Sequence, residues 1–358
     1  MSLDAADTAH NPQRVQDRPA SEARQKFVAV NDLKKYFPIR GGLLNQVVAN
    51  VQAVDGVSFE VKRGETLGIV GESGCGKSTT ARLLMRLIDP DAGDVLIDGD
   101  RIGPDGMTLR DMRRQMQMVF QDSYASLNPR LTIEDTIAFG PMVHGVDQTE
   151  ARARARDLLG KVGLDPNLFI RRYPHELSGG QRQRINIARA LALEPKIVIL
   201  DEAVSALDKS VEAQVLNLLM DLKRELELTY IFISHDLHVV HYISDRVLVM
   251  YLGKVVEIGP VEQIYATPKH PYTQALLSAM PSMDPNRRAE RPPLTGDPPN
   301  PINPPSGCRF HTRCPCAERV CSQREPTLAL VDAPSGQLAA CHMTDPASGH
   351  SQATSGGQ

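Results

Sequence analysis

The chain has 358 residues, 41% hydrophobic and 23% charged, which suits a globular protein long enough for more than one packing unit. Its formal net charge of −3 creates no overall field that would point to nucleic acid or to an acidic membrane surface. No apolar run approaches the ~20 residues needed to cross a bilayer. The opening stretch "MSLDAADTAHNPQRVQDRPASEARQ" lacks the apolar core of a signal peptide. A solvated tail over residues 1–26 is expected, on a protein of the cytoplasm or of a membrane's cytoplasmic face.

Order is expected from Phe27. "FVAVNDL", "VQAVDGVSFEV" and "ETLGIVG" read as strands, from their β-branched content and the turn residues at their ends. "KSTTARLLMRLI" carries apolar residues at helical spacing, and "GDVLIDGDRI" reads as a short hairpin. From about Ser123 to Gly180 the texture becomes helical, with "EDTIAFGPMVHG" and "TEARARARDLLGKVGL" as the clearest helices. "PKIVILDEA" is a near-continuous apolar run, as a parallel strand covered on both faces requires. "TYIFISHD" and "DRVLVMYLGKVVEIG" supply further strands. Beyond Gly259, "PSMDPNRRAERPPLTGDPPNPINPP" is too rich in proline for regular elements and predicts an extended linker. A cysteine-bearing segment follows it, and "TDPASGHSQATSGGQ", 344–358, reads as a disordered tail.

"GESGCGKST", Gly71 to Thr79, fits the phosphate-loop pattern, between a strand and a helix as that loop requires. Across Gly71, Glu72, Ser73, Gly74, Cys75 and Gly76, the glycines let backbone N–H groups turn inward around phosphates. Lys77 is expected to reach the β- and γ-phosphates and the Ser78 hydroxyl to ligate Mg²⁺, with the helix N-terminus adding favourable partial charge. Cys75 reads as loop filler. "IVILDE" ends an apolar strand in Asp201 and Glu202, two carboxylates at the edge of a sheet where ligands of α/β folds sit. Asp201 suits Mg²⁺ held through water, and Glu202 suits polarising the attacking water. Hydrolysis of ATP or GTP follows from this pair of motifs. "LSGGQRQR" then places Ser178, Gly179, Gly180 and Gln181 at the head of a second helix, where amides and a hydroxyl can meet an anion or simply cap the helix.

With "GESGCGKST", "FQD", "LSGGQRQR", "ILDE", "SALD" and "SHD" in that order, the chain resembles the ATPase subunit of an ABC transporter over roughly residues 27 to 260. The resemblance implies an α/β fold: a P-loop NTPase core of the ABC ATPase kind, with an antiparallel β subdomain and a helical subdomain. It implies two subunits packed head to tail, each presenting its Ser178–Gln181 element to the ATP held by the other. It assigns Gln121 to the loop glutamine that contacts Mg²⁺ and the attacking water, Asp208 to the loop crossing the dimer seam, and His235 to the γ-phosphate and the positioning of Glu202. Taken alone, Gln121 could be any polar strand end, Asp208 a helix cap and His235 a structural histidine. An aromatic is expected on the adenine, with Phe37 the better match and Tyr36 the alternative. Ala203 and Ser123 stand where these proteins usually carry proline, and neither removes a reacting group.

"FPIRGGLL", "YASLNPR", "HPYTQALLSAMP" and "GCRFHTRCPCAERVC" narrow the resemblance to the oligopeptide/dipeptide importer branch, which also contains nickel and glutathione importers. That implies, at the cytoplasmic face of the inner membrane, a second related ATPase, two membrane permeases and, indirectly, an extracytoplasmic solute-binding protein. It makes 261–343 a branch-specific C-terminal region. Soluble ABC ATPases of DNA repair or ribosome work are less well matched, because only roughly a hundred residues separate Thr79 from Ser178, which leaves no room for a coiled coil. Glu202 and His235 argue against a regulator that does not hydrolyse nucleotide. Cys308, Cys314, Cys321 and Cys341 follow C-x5-C-x6-C-x19-C, with Cys316 extra and no C-x2-C pair. Four thiolates could hold a [4Fe–4S] cluster, as in some relatives. Zinc, with His311 or His342 in place of one thiolate, is the alternative, and unligated thiols are the third.

Overall fold

The computed structural model describes residues 26–41, 45–103, 106–280 and 299–353. The N-terminal tail to residue 25, most of the proline-rich stretch (281–298) and residues 354–358 lie outside the described residues. A long hairpin of β1 (Lys26–Gly41) and β2 (Gln46–Lys62) precedes β3 (Thr66–Val70) and α1 (Lys77–Leu84). Next come β4 (Ala92–Ile97), β5 (Asp100–Arg101), α2 (Leu109–Gln115) and β6 (Met116–Val119). The helical insert contains α3 (Ile133–Val143), α4 (Gln148–Lys161) and α5 (Pro166–Phe169), and α6 (Gly179–Leu191) returns the chain to the core. Strand and helix then alternate through β7 (Ile197–Asp201), α7 (Lys209–Glu225), β8 (Thr229–Ile233), α8 (Leu237–Ile243), β9 (Arg246–Tyr251) and β10 (Lys254–Pro260). The C-terminal region adds α9 (Val261–Ala266), α10 (Pro271–Ser278), α11 (Arg319–Gln323), β11 (Ala329–Asp332) and β12 (Gln337–Ala339).

An antiparallel sheet runs β2-β1-β4-β5, and the main sheet runs β11-β12-β10-β9-β3-β8-β7-β6. The strands β9, β3, β8, β7 and β6 are parallel neighbours. Sequences such as "TYIFI" and "IVILD" suit this position because both faces are covered and every residue is buried. Their side chains alternate between two cores. Tyr230, Phe232, Val198 and Leu200 face the helices α6 to α8, while Ile231, Ile233, Ile197 and Ile199 face α1 and the antiparallel sheet. In the insert, Thr132 and Asp147 cap α3 and α4 by accepting from Asp135 N and Thr149 N, which fixes where each helix begins.

The main sheet does not stop near Gly259. β12 pairs with the outer edge of β10, Glu257 opposite Ala339 and Ile258 opposite Leu338, and β11 extends it further. The segment from 344, read as disordered from its small polar residues, is packed as far as Ala353. Ser348 and His350 are buried, Ser348 Oγ donates to the His342 carbonyl (2.7 Å) and His350 Nε2 stands 2.9 Å from the Cys316 carbonyl. Composition misses this because the order comes from one imidazole filling a hollow built by other segments.

Glu257, on β10, is fully buried. Its carboxylate accepts from Lys269 N (2.7 Å), His270 N (3.0 Å) and Gln337 Nε2 (2.7 Å), joining the core sheet to α10 and β12. Glu257→Ala leaves these donors unpaired and is expected to cost about 3 kcal/mol, read as a lower Tm. Burial pushes the Glu257 carboxyl above its usual range despite the donors. A carboxyl whose folded pKa is raised loses stabilising power as pH rises through that value. The Tm gap between parent and variant is therefore expected to narrow from about pH 4 to pH 7.

Candidate active site at the carboxyl edge of the parallel strands

The order β3-β8-β7 brings the carboxyl ends of three strands side by side, and each end delivers a motif residue. The phosphate loop leaves β3. At Gly76 the backbone adopts φ 109°, and a Cβ there would stand 2.3 Å from the Ala53 carbonyl, so only glycine lets the loop approach β2 this closely. Lys77 is buried, and its Nζ donates to the carbonyls of Gly71 (2.7 Å) and Glu72 (3.0 Å), closing the loop on itself. Cys75, within the loop, is buried.

The Ser78 hydroxyl donates to Asp201 Oδ1 at 3.0 Å, joining the head of α1 to the end of β7. Burial raises the Asp201 carboxyl, the hydrogen bond from Ser78 lowers it, and the neighbouring Glu202 charge raises it again. A hydroxyl beside a buried carboxylate that resists ionisation suits a hard cation, which would relieve the desolvation of Asp201. These two residues therefore fit Mg²⁺. Glu202 sits in the left-handed region (φ 48°), its N–H held by the Ile233 carbonyl at 2.9 Å. That strained turn carries the carboxylate out of the sheet, where Gln121 Nε2 donates to it (2.8 Å) and His235 Nδ1 lies 3.4 Å away. Glu202 is largely shielded and His235 is exposed on the cavity side.

A cavity of about 500 Å³ is lined by Lys77, Ser78, Thr79, Gln121, Glu202 and His235, with Val51, Ala53 and Pro301 on its far wall. A larger hollow of about 810 Å³, flanked by Gly64, Lys196 and Leu228, opens at the opposite ends of the strands and contains none of these residues. Since α/β folds bind ligands at the carboxyl ends of their strands, the smaller cavity is the candidate site.

Ser178–Gln181 do not line that cavity. They cap α6: Ser178 Oγ accepts from Gln181 N (3.3 Å) and Gln181 Oε1 accepts from Ser178 N (3.0 Å). Gly180 lets α6 approach α7, because a Cβ there would stand 2.5 Å from Val211 Cγ1. Asp208 heads α7, exposed and without a side-chain capping bond. Tyr36 is half-buried and its hydroxyl donates to Asp55 Oδ1 (2.5 Å). Phe37 is 38% exposed and pairs across the hairpin with Val51, a wall residue of the cavity. At the two departures from the family pattern, Ala203 is buried and the Ser123 carbonyl accepts from Asn186 Nδ2 at 3.1 Å.

The cysteines other than Cys75 share one hollow of about 10 Å³, together with His311, His342 and His350. All are free thiols. Burial pushes Cys314 up to about 12 and Cys341 up to about 11. Among the described residues, no group of three or more His, Cys, Asp or Glu side chains stands where it could hold a metal ion. As arranged, these side chains do not fit a cluster or zinc, since the hollow has room for about one water. Sequence reading missed Arg313, Tyr272 and Pro301, which bring the C-terminal region to the phosphate loop. No local signal links them to residues so far upstream.

Residues 54–205 match the family model for "ABC transporter", and 256–321 match the model for "Oligopeptide/dipeptide transporter, C-terminal region". A probable peptide ABC transporter ATP-binding protein of Sinorhizobium fredii is 54% identical over 325 residues, 90% of this chain and 91% of that protein. The chain belongs to the ABC transporter ATP-binding subunits, in their oligopeptide/dipeptide branch. An oligopeptide transport ATP-binding protein of Bacillus subtilis is 50% identical, over 89% of this chain and 98% of that one. Among solved structures, a dimeric ATP-binding cassette in a post-hydrolysis state with ADP and phosphate is 29% identical. It covers 65% of this chain and 98% of its own, with a TM-score of 0.57. The fold is thus that of the P-loop ABC ATPases, and the ABC subunit is an ATP-hydrolysing enzyme. Among the described residues, no helix is long and apolar enough to cross a membrane. The ABC ATPase's hold on nucleotide gives Gly76 a direct test: Gly76→Ala is expected to weaken ATP binding at least about tenfold in calorimetric titration, about 1.4 kcal/mol.

Proposed function

We propose that this ABC ATPase energises an importer of oligopeptides or dipeptides. It works as a head-to-tail dimer, ATP lying between the phosphate loop of one subunit and Ser178–Gln181 of the other. The observation that carries this reading is the division of the motifs: Lys77, Ser78, Gln121, Glu202 and His235 line one cavity, and Ser178–Gln181 are not among its lining residues. Glu202 takes the proton of the attacking water. Gln121 and His235 both approach Oε2 of that carboxylate, which leaves Oε1 to face the water. Mg²⁺, held by Ser78, Asp201 and Gln121, would offset charge on the triphosphate. Lys77 and the amides of Gly71–Thr79 bind the phosphates. Asp208, exposed at the head of α7, meets the partner across the seam. Adenine stacks on Phe37, supported by its exposure and by the commitment of the Tyr36 hydroxyl to Asp55.

The partners are a second, related ATPase subunit, two membrane permeases and, through them, an extracytoplasmic solute-binding protein. The chain would then sit on the cytoplasmic face of the inner membrane. Tyr124, Phe139 and Val143 are each more than half exposed around the helical insert, an apolar surface suited to a permease contact. The peptide cargo rests on the similarity to relatives described as peptide, oligopeptide and dipeptide transport proteins. A metal-bound cysteine hollow, [4Fe–4S] or zinc, is a subsidiary reading supported only by the gathering of five thiols, which would have to move apart. Brown, iron-bound protein from anaerobic purification would support that reading, and protein free of both iron and zinc leaves plain thiols.

Glu202→Gln is expected to slow hydrolysis by about 10²- to 10⁴-fold while ATP still binds and the dimer accumulates in light scattering. Ser178→Arg is expected to lower turnover about a hundredfold, yet leave ATP affinity of the monomer within about twofold. Equal loss of affinity and turnover would show that Ser178 serves its own chain's nucleotide.

A further inference from the structure

We propose that Arg313, from the cysteine-bearing C-terminal segment, is a positioning residue for ATP that acts through Glu72 of the phosphate loop. Its guanidinium makes a two-pronged pair with the Glu72 carboxylate, Nη1 to Oε2 at 2.8 Å and Nη2 to Oε1 at 3.1 Å, across 241 residues of chain. The Arg313 side chain is only 6% exposed, so the contact is not a passing surface pair. A fork of this kind fixes the carboxylate in direction as well as distance.

Residue 72 is held at its other groups too. Its N–H donates to the Tyr272 hydroxyl (2.8 Å) and its carbonyl accepts from Lys77 Nζ (3.0 Å). Tyr272 is fully buried. Its ring lies 4.6 Å from Tyr251 and 5.4 Å from Phe310, and Phe310 meets Tyr251 edge-on at 5.3 Å. Phe310 in turn receives Arg313 N at its carbonyl (3.0 Å). The start of the phosphate loop therefore rests on a rigid aromatic block drawn from β9, α10 and the C-terminal segment, with Arg313 as its charged tip.

Two consequences for ATP follow, both through Glu72. The fork fixes the first turn of the loop, and with it the direction in which the amides that follow residue 72 can be aimed at phosphate. It also neutralises a carboxylate standing beside the binding place of a triphosphate, where an unpaired negative charge would repel the ligand. Arg313 touches no nucleotide in this account, so its effect belongs in affinity and not in the chemical step.

The test uses the full chain, its fold checked by thermal melting. Arg313→Met is expected to raise the KM and Kd for Mg-ATP at least about fivefold, with kcat within about twofold. Raising salt from about 0.05 M to 0.5 M should shrink that Kd ratio, because part of the penalty is repulsion from the unpaired Glu72. Adding Glu72→Gln to Arg313→Met should leave affinity no worse than in Arg313→Met alone. A Kd within about twofold of the parent, or losses that multiply in the double variant, would overturn the proposal. If Arg313→Met does not fold, Arg313→Lys decides. It keeps the charge without the fork and is expected to raise Kd about threefold, and an unchanged Kd overturns the proposal equally.

Discussion

The hydrogen bond from Ser78 Oγ to Asp201 Oδ1 spans the ends of β3 and β7, which are separated by β8. It can form only if those strands are parallel, in register and held by side chains packed on both faces. The continuous burial of "TLGIV", "TYIFI" and "IVILD" supplies that condition. The polar site is thus a consequence of an apolar arrangement. Each strand is fixed on both faces, and its first residue beyond the sheet has little freedom in where it points. Glu202 departs from this rule, leaving β7 through a left-handed turn that carries its carboxylate to Gln121 and His235. Backbone strain of this kind persists where the surroundings over-determine it. Here the Ile233 carbonyl on Glu202 N is the constraint.

A second constraint comes from outside the nucleotide core. Arg309 donates to Gln52 Oε1 (2.6 Å), to Asp55 Oδ2 (2.5 Å) and to the Leu252 carbonyl. Asp55 also receives the Tyr36 hydroxyl, and the Pro301 carbonyl accepts from Gln52 N at 3.0 Å. The C-terminal segment thus grips the β1–β2 hairpin as well as the phosphate loop. It is joined to the core sheet through β12 and to α10 through Glu257. The boundary that composition draws near residue 260 marks a change in texture, while the sheet and the charge pairs run straight across it.

The parts of the molecule legible from sequence are those whose signal is local. Near-continuous apolar runs and β-branched content gave the buried parallel strands, and glycine spacing gave the phosphate loop. Asp201 and Glu202 followed from an apolar run that ends in acids. The ordered set of short motifs gave the family. Contacts between distant segments were not legible. Nothing in "RFHTRC" points to Glu72, because a bidentate pair leaves no trace in the local pattern of either partner. Nothing in "DPASGHSQ" reveals that His350 becomes buried, because its hollow is made by Cys316, Glu318 and their neighbours. The proline run misled in a different way. Most of it, 281–298, lies outside the described residues, yet Pro301 near its end forms a wall of the nucleotide cavity.

The helix at Ser178 is the place where local and distant signals meet. Within one chain its capping box is complete, since Ser178 and Gln181 satisfy each other's backbone. In that box the Ser178 hydroxyl accepts from Gln181 N at 3.3 Å, which leaves its O–H proton able to donate to an anion without breaking the cap. The helix N-terminus favours negative charge at the same place. Gly180 keeps the approach open while α6 is pressed against α7. A cap that keeps a donor in hand leaves the helix end complete within one chain, and under the proposed head-to-tail arrangement it could meet a partner's nucleotide without either subunit unfolding.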